Sequence, residues 1–154
     1  MHRVAPVALL TLLFPVIAWR GQYTASDDVD WSCVMPAVLA LGLDPAFVDS
    51  KAMGGYSPAM VRAFIDSQLD RVRAAGYEVE NCLVDLGATA ETVLGAKLRE
   101  RSFDCVLIGA GLRAPEHSVL FEKLLNAVHI LATEAKICFN TTPGDSLEAV
   151  QRWA

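Results

Sequence analysis

In DCVLIGAGLRAPEHS, residues 104–118, an apolar run ends at Gly109-Ala110-Gly111 and leads into a helical pattern. A continuous apolar run of this length is typical of a parallel strand that is buried on both faces. The glycines indicate a tight turn at the carboxyl end of that strand. We therefore predict a strand over 103–109 and a helix over 116–135.

The alternation of strands and helices continues on both sides of this stretch. Three more strands are predicted, at 37–43, 77–86 and 136–140. Three more helices are predicted, from Pro58 with Ser57 as its cap to a stop at Gly76, over 89–101, and from 145 to the C-terminus. Asp145 and Glu148 have the spacing of a capping box at the start of the last helix.

This order of elements predicts a three-layer α/β domain with an open parallel sheet of four to five strands. With right-handed crossovers, the expected strand order is 2-1-3-4, which is flavodoxin-like. The connections reverse direction between strands 1 and 3, and open α/β sheets bind ligands at such a switch point. The loops at 44–56 and 109–115 border this crevice, so we expect a binding site between them.

Composition and charge exclude several classes of protein. The chain has 154 residues, of which 53% are hydrophobic and 20% charged, so it is not a disordered chain and can bury one core. Its net charge is −5 and it has no stripe of Lys and Arg, so nucleic acid is not an expected partner. Nothing in the sequence indicates an oligomeric state.

The cysteines are those of a protein from a reducing compartment. Cys33, Cys82, Cys105 and Cys138 form no C-x-x-C pair, so neither a metal site nor a redox motif is predicted. Three of them lie in predicted strands, where a free thiol behaves as a small hydrophobic side chain. We therefore expect buried, inert thiols and a cytoplasmic location.

The first 34 residues are set apart from the domain predicted over 35–154. Residues 4–19 carry no charge and contain Pro6 and Pro15, so they are short and interrupted for a membrane-spanning helix. Three interpretations stay open: a dispensable extension, an export signal or membrane anchor, and a helix integrated in the domain. Contact with a membrane is expected only if 4–19 is retained as an anchor.

The turn at 109–114 matches the pattern G-x-G-x-x-A of dinucleotide-binding proteins. It follows the third strand and not the first, Pro115 delays the helix, and Asn140-Thr141 stands where an acid would bind a ribose. We therefore predict no dinucleotide and no other cofactor. Two interpretations remain, a simple strand-ending turn and a site at which backbone N–H groups and Arg113 hold a small anion.

The predicted ligand-binding residues come from the loops around the crevice: Asp44, Gly109, Ala110, Gly111, Arg113, Asn140 and Thr141. Arg113 would clamp an anion, or else form a surface ion pair with Glu116. Asp44 and His117 are the candidate acid/base groups. Asp44 could equally form an Asp-Pro turn or pair with Arg113.

Several stretches resemble a family of small bacterial α/β proteins whose function is uncharacterised. They are Gly42-Leu43-Asp44-Pro45, DCVLIGAGLR, LFEKLLNAVH and FNTTPGD. The resemblance covers nearly all of 35–154 and implies the α/β fold and a start near Met35. It implies no catalytic residues.

The function expected from the sequence is binding of a small, anionic molecule in the crevice. One alternative is a small enzyme that uses Asp44 or His117 as acid/base and Arg113 as anion clamp. Another is a degenerate receiver-like interaction module, for which the crevice would be filled and an apolar patch exposed.

Overall fold

A computed structural model describes residues 35–49, 51 and 53–154, so the predicted leader at 1–34 lies outside the described residues. The described part of the chain contains four strands: β1 Ala37–Leu43, β2 Glu78–Val84, β3 Cys105–Ile108 and β4 Lys136–Phe139. It also contains four α-helices: α1 Pro58–Ala74, α2 Ala90–Glu100, α3 Ser118–Leu131 and α4 Ser146–Gln151. Among these residues, no helix has both the length and the apolar character needed to cross a bilayer.

The four strands form one parallel sheet in the order β2-β1-β3-β4, which confirms the predicted flavodoxin-like topology. Helices cover both faces. One core contains side chains of α2 and α3, such as Leu94 and Leu124, and the other contains side chains of α1 and α4, such as Val72 and Val150. The direction of the connections reverses between β1 and β3, as expected.

The two faces of β1 differ in side-chain size. Leu39, Leu41 and Leu43 all point into the core with α2 and α3. On the other face the side chains shrink toward the carboxyl end of the strand, from Val38 to Ala40 to Gly42. The α1 side of the sheet therefore has little side-chain volume at the edge where a ligand is expected.

The ends of the helices follow from local chemistry. Ser57 accepts a hydrogen bond from the Met60 amide and caps α1, and Gly76 ends it with a φ of 97°. The helix predicted over 116–135 begins later, at Ser118, because Ala110–Arg113 and Pro115–His117 form 3-10 turns.

The capping box predicted at Asp145 and Glu148 is wrong. The observed box joins Thr142 to Asp145 and belongs to the 3-10 turn Pro143–Asp145 that precedes α4. The Asp145 carboxylate points back to the amides of Thr141 and Thr142, at 2.8–3.0 Å. It therefore caps the turn and makes no side-chain cap for α4.

Candidate functional site

A cavity of about 600 Å³ lies at the carboxyl ends of β1 and β3, between the sheet and the first half of α1. Both of the loops that were expected to border the crevice contribute to its wall, through residues such as Pro45, Tyr56 and Gly109. The switch point of the sheet is therefore open and large enough for a small organic molecule.

Small residues of the sheet make the floor of the cavity, and α1 makes its roof. The floor includes Ala40 and Gly42 of β1 and Gly109 after β3. The roof includes Ile65 and Phe64, and Phe64 remains 49% exposed although its side chain is large and apolar. Helix α1 packs fully on the sheet only through its second half, where Leu69 and Val72 are buried, and this leaves the space at its start.

The polar end of the cavity is built on Asn140, which directly follows β4 and is only 5% exposed. Its Oδ1 accepts a hydrogen bond of 3.0 Å from the Ala110 amide, and its Nδ2 donates one of 3.0 Å to Ser146 Oγ. The Ser146 hydroxyl donates in turn to the Pro143 carbonyl at 2.7 Å. This chain fixes the orientation of the Asn140 amide, because Ser146 uses its one proton on Pro143 and must accept from Nδ2.

The Gly109-Ala110-Gly111 turn lines the cavity, but two of its amides are already bonded within the protein. The Gly109 amide donates to the Leu41 carbonyl at 2.8 Å, and the Ala110 amide donates to Asn140. The tight turn predicted here does not use a glycine-specific conformation, since neither Gly109 nor Gly111 has a positive φ. A Cβ at Gly109 would lie 3.4 Å from the Leu41 carbonyl oxygen, which is about van der Waals contact.

Arg113 turns away from the cavity and does not line it. Its Nη2 donates to the Asn140 carbonyl, and its guanidinium carbon lies 5.1 Å from the centre of the Phe139 ring. Its Nε is buried without a hydrogen-bond partner among the described residues. Arg113 therefore fastens the turn after β3 to the end of β4, and neither Asp44 nor Glu116 is its ion-pair partner.

Asp44 holds the loop that follows β1. Its carboxylate accepts a hydrogen bond of 2.9 Å from the Ala46 amide, as an Asp-Pro turn does, and it also pairs with Arg62 of α1. The bond from Ala46, together with the bond and charge of Arg62, lowers the pKa of Asp44, although partial burial acts in the opposite direction. Asp44 is therefore a poor proton acceptor near neutral pH, and it does not line the cavity.

His117 and Thr141 also lie apart from the cavity. His117 borders a separate depression of about 400 Å³, with Leu86, Glu91 and Lys123. Thr141 is exposed, and both its amide and its hydroxyl donate to Asp145. Of the predicted site residues, the structure brings Asn140 and the three residues of the 109–111 turn together on the cavity wall. The other four predicted site residues lie outside the lining of the cavity: Asp44, Arg113, His117 and Thr141.

Sequence reasoning missed the residues that give the cavity its shape. Ala40 and Gly42 lie in a stretch that was interpreted only as an apolar run, and Ser146 was interpreted only as part of a helix start. The decline in size at 38, 40 and 42, every second residue of a strand, was the available signal, because these residues share one face.

No family model, no curated protein and no solved structure gives a significant match to this chain.

Proposed function

We propose that this domain binds a small molecule in the cavity at the carboxyl ends of β1 and β3. The observation that carries the proposal is the cavity itself, with a volume of about 600 Å³, an apolar wall and one buried polar end at Asn140 and Ser146. Ligand sites commonly have this size and this combination of an apolar lining with a few placed polar groups.

The packing of α1 supports the proposal. Phe64, which lines the cavity, is 49% exposed, whereas Leu69 and Val72 farther along the helix are buried. Burial of apolar surface contributes a favourable free energy of about 25 cal/mol for each Å² removed from water. A ligand between α1 and the floor at Ala40 would bury part of this surface, and that gain would favour binding.

The sequence further predicts that the ligand is an anion, and this stays a prediction. Arg113 is engaged by Asn140 and Phe139, so an anion in the cavity would need other donors. The enzyme alternative also stays open, although Asp44 is engaged by Arg62 and His117 lies in the other depression.

The interaction module is a second candidate function, because four large apolar side chains are exposed in the loop after β1 and at the start of α1: Phe47, Tyr56, Met60 and Phe64. Exposed apolar patches often mark partner-binding surfaces. Tyr56 and Phe64 also line the open cavity, however, and exposure at its entrance suits ligand entry equally well.

The proposal includes a cytoplasmic location and membership of the bacterial α/β family that the sequence resembles. The location is supported by the three described cysteines, Cys82, Cys105 and Cys138, which are all buried and free. The membership rests on the four stretches that carry the resemblance and on the α/β fold with a parallel sheet.

Ala40→Leu in the full chain tests the proposal with N-phenyl-1-naphthylamine, a neutral probe that fluoresces in apolar sites. The wild type should bind the probe, and the leucine should fill the floor of the cavity and weaken binding about tenfold, which corresponds to 1.4 kcal/mol. Because the added side chain enters existing space, the free energy of unfolding should stay the same or rise by about 0.5–2 kcal/mol.

Ala149→Leu is the matched control, because Ala149 is fully buried in the same core but does not line the cavity. It should lower the free energy of unfolding by about 1–3 kcal/mol through overpacking while the probe still binds. Absence of probe binding by the wild type, or equal binding by the wild type and Ala40→Leu, would show that the cavity is not a ligand site.

A further inference from the structure

The wall of the cavity carries no formal charge in the part of the chain that the structure describes. Asp, Glu, Lys, Arg and His are all missing from its lining residues. Three charged groups beside the cavity are engaged within the protein. Asp44 pairs with Arg62, and Arg113 donates to Asn140. Asp66 accepts a hydrogen bond of 3.3 Å from the lining residue Asn81. A charged group that moved from water into this space would lose hydration without gaining a counter-ion, so the lining favours an uncharged ligand over the anion that the sequence predicts.

Along β1 and the turn after β3 the floor of the cavity is formed largely by backbone, and Leu83 of β2 and Leu107 of β3 line the cavity beside it. Ala40 contributes one methyl group and Gly42 and Gly109 contribute none, so peptide groups of β1 and of the turn after β3 face the space directly. Ile65 and Phe64 cover this floor from α1. A slot between a side-chain-poor sheet and an apolar helix suits a flat ring better than a branched or bulky body.

The polar end still has hydrogen-bonding capacity. Asn140 uses one lone pair of Oδ1 on the Ala110 amide and one N–H of Nδ2 on Ser146, so one lone pair and one N–H remain. Ser146 Oγ donates to Pro143 and accepts from Asn140, which leaves it one lone pair. This end can therefore both donate to a ligand and accept from it.

We infer that the ligand is an uncharged planar ring that bears a carboxamide or lactam, with the ring on the floor at Ala40, Gly42 and Gly109 and the amide at Asn140 and Ser146. The inference rests on the proposed function and adds the chemical class of the ligand. An amide has a donor and an acceptor side by side and so matches the remaining capacity of Asn140 and Ser146. A carboxylate offers acceptors only, and its charge would have no counter-ion among the described lining residues.

Three probes with one ring system test this inference on the full chain: 2-naphthamide, 2-naphthoate and 2-methylnaphthalene. Their dissociation constants are measured at pH 7 by fluorescence titration. The amide should bind about tenfold more tightly than the carboxylate and also more tightly than the methyl compound, because only the amide satisfies the polar end without burying a charge. Ala40→Leu should weaken binding of all three probes that bind the wild type.

Ser146→Ala is a second variant that should still fold. It removes one hydroxyl and its bond to Asn140, while the atoms of the bond between Asn140 and Ala110 are unchanged. It should weaken binding of the amide several-fold more than binding of the methyl compound. If the carboxylate or the methyl compound binds as tightly as the amide, the ligand class is wrong while ligand binding in the cavity stands. If none of the three binds while N-phenyl-1-naphthylamine does, the ligand class is wrong and the proposed function stands. If N-phenyl-1-naphthylamine does not bind either, both are wrong.

Discussion

Asn140 and Ser146 are joined by a buried hydrogen bond of 3.0 Å, and this bond ties the end of β4 to the first residue of α4. The same side chain of Asn140 also holds the Ala110 amide, so one amide group connects three segments at the edge of the cavity. Because both residues are buried, neither water nor a neighbouring side chain can readily replace a lost partner.

Asn140→Ala should lower the free energy of unfolding by about 2–3 kcal/mol, because the Ala110 amide would lose its partner in a buried place. Urea unfolding monitored by circular dichroism measures this change. Asn126→Ala is the control, since Asn126 is an exposed asparagine of α3 that bonds only to a carbonyl of its own helix. A similar small loss for both variants would contradict the structural role of Asn140.

Arg113→Ala should lower the free energy of unfolding by about 1–2 kcal/mol, because it removes the bond to the Asn140 carbonyl and the contact with the Phe139 ring. Binding of N-phenyl-1-naphthylamine should change less than about twofold, since Arg113 does not line the cavity. Thermal unfolding measures the change in stability, and a probe titration on the same samples measures the change in affinity.

Arg99→Ala serves as the control for Arg113, because Arg99 is exposed at the end of α2. The opposite pattern, with unchanged stability for Arg113→Ala and weaker binding of 2-naphthoate, would instead support the anion clamp expected from the sequence.

Asp145→Asn should reveal a pH-dependent contribution to stability. Partial burial raises the pKa of Asp145, but the hydrogen bonds from Thr142 and Thr141 outweigh it and lower the pKa from its ordinary value of 3.8 to about 2. A lowered pKa means that the carboxylate stabilises the fold fully above about pH 5, and that this contribution is lost as the pH falls toward the folded-state pKa.

At pH 7 the Asp145→Asn variant should therefore be about 1 kcal/mol less stable than the wild type, and the difference should shrink between pH 5 and pH 2. Urea unfolding at a series of pH values measures it. Glu122→Gln, which removes an exposed carboxylate of α3, is measured alongside as the control. A difference that stays constant down to pH 2 would mean that the charge of Asp145 does not stabilise the turn.

The three described thiols should react slowly in the native protein. Cys82, Cys105 and Cys138 are buried, and burial raises the pKa of Cys82 to about 11. At pH 8 the reactive thiolate of Cys82 is then about 0.1% of the total, in addition to the steric barrier. Iodoacetamide labelling followed by peptide mass spectrometry should find these three cysteines unmodified until urea is added, and rapid native labelling of all three would refute the strand assignments.

The sequence predicts the architecture well because buried parallel strands leave a strong local signal. The run at 37–43 coincides with β1, and the apolar runs at 103–109 and 136–140 contain β3 and β4. Right-handed crossovers then limit the strand order to few arrangements, and the order 2-1-3-4 is the one observed.

The candidate site is less predictable because its side chains depend on contacts between distant segments. That Arg113 faces Asn140 and not the crevice follows from the pairing of β3 with β4, which no local pattern specifies. The capping box shows the same limit at short range. Both Thr142 with Asp145 and Asp145 with Glu148 have the required spacing, and only the observed turn at Pro143 selects the first pair.

The unequal faces of β1 assign core packing and ligand binding to different residues of one strand. Leu39, Leu41 and Leu43 belong to the core with α2 and α3, whereas Ala40 and Gly42 face the cavity. Substitutions at 40 can therefore alter how deep a molecule enters without disturbing the opposite core. A side chain at 42 would also have to displace Leu83, whose Cδ2 lies 3.3 Å from the Cβ position. The ligand selectivity of the cavity can thus change in evolution, or be redesigned in the laboratory, through one face of this seven-residue strand. The leucines of the other face continue to stabilise the fold.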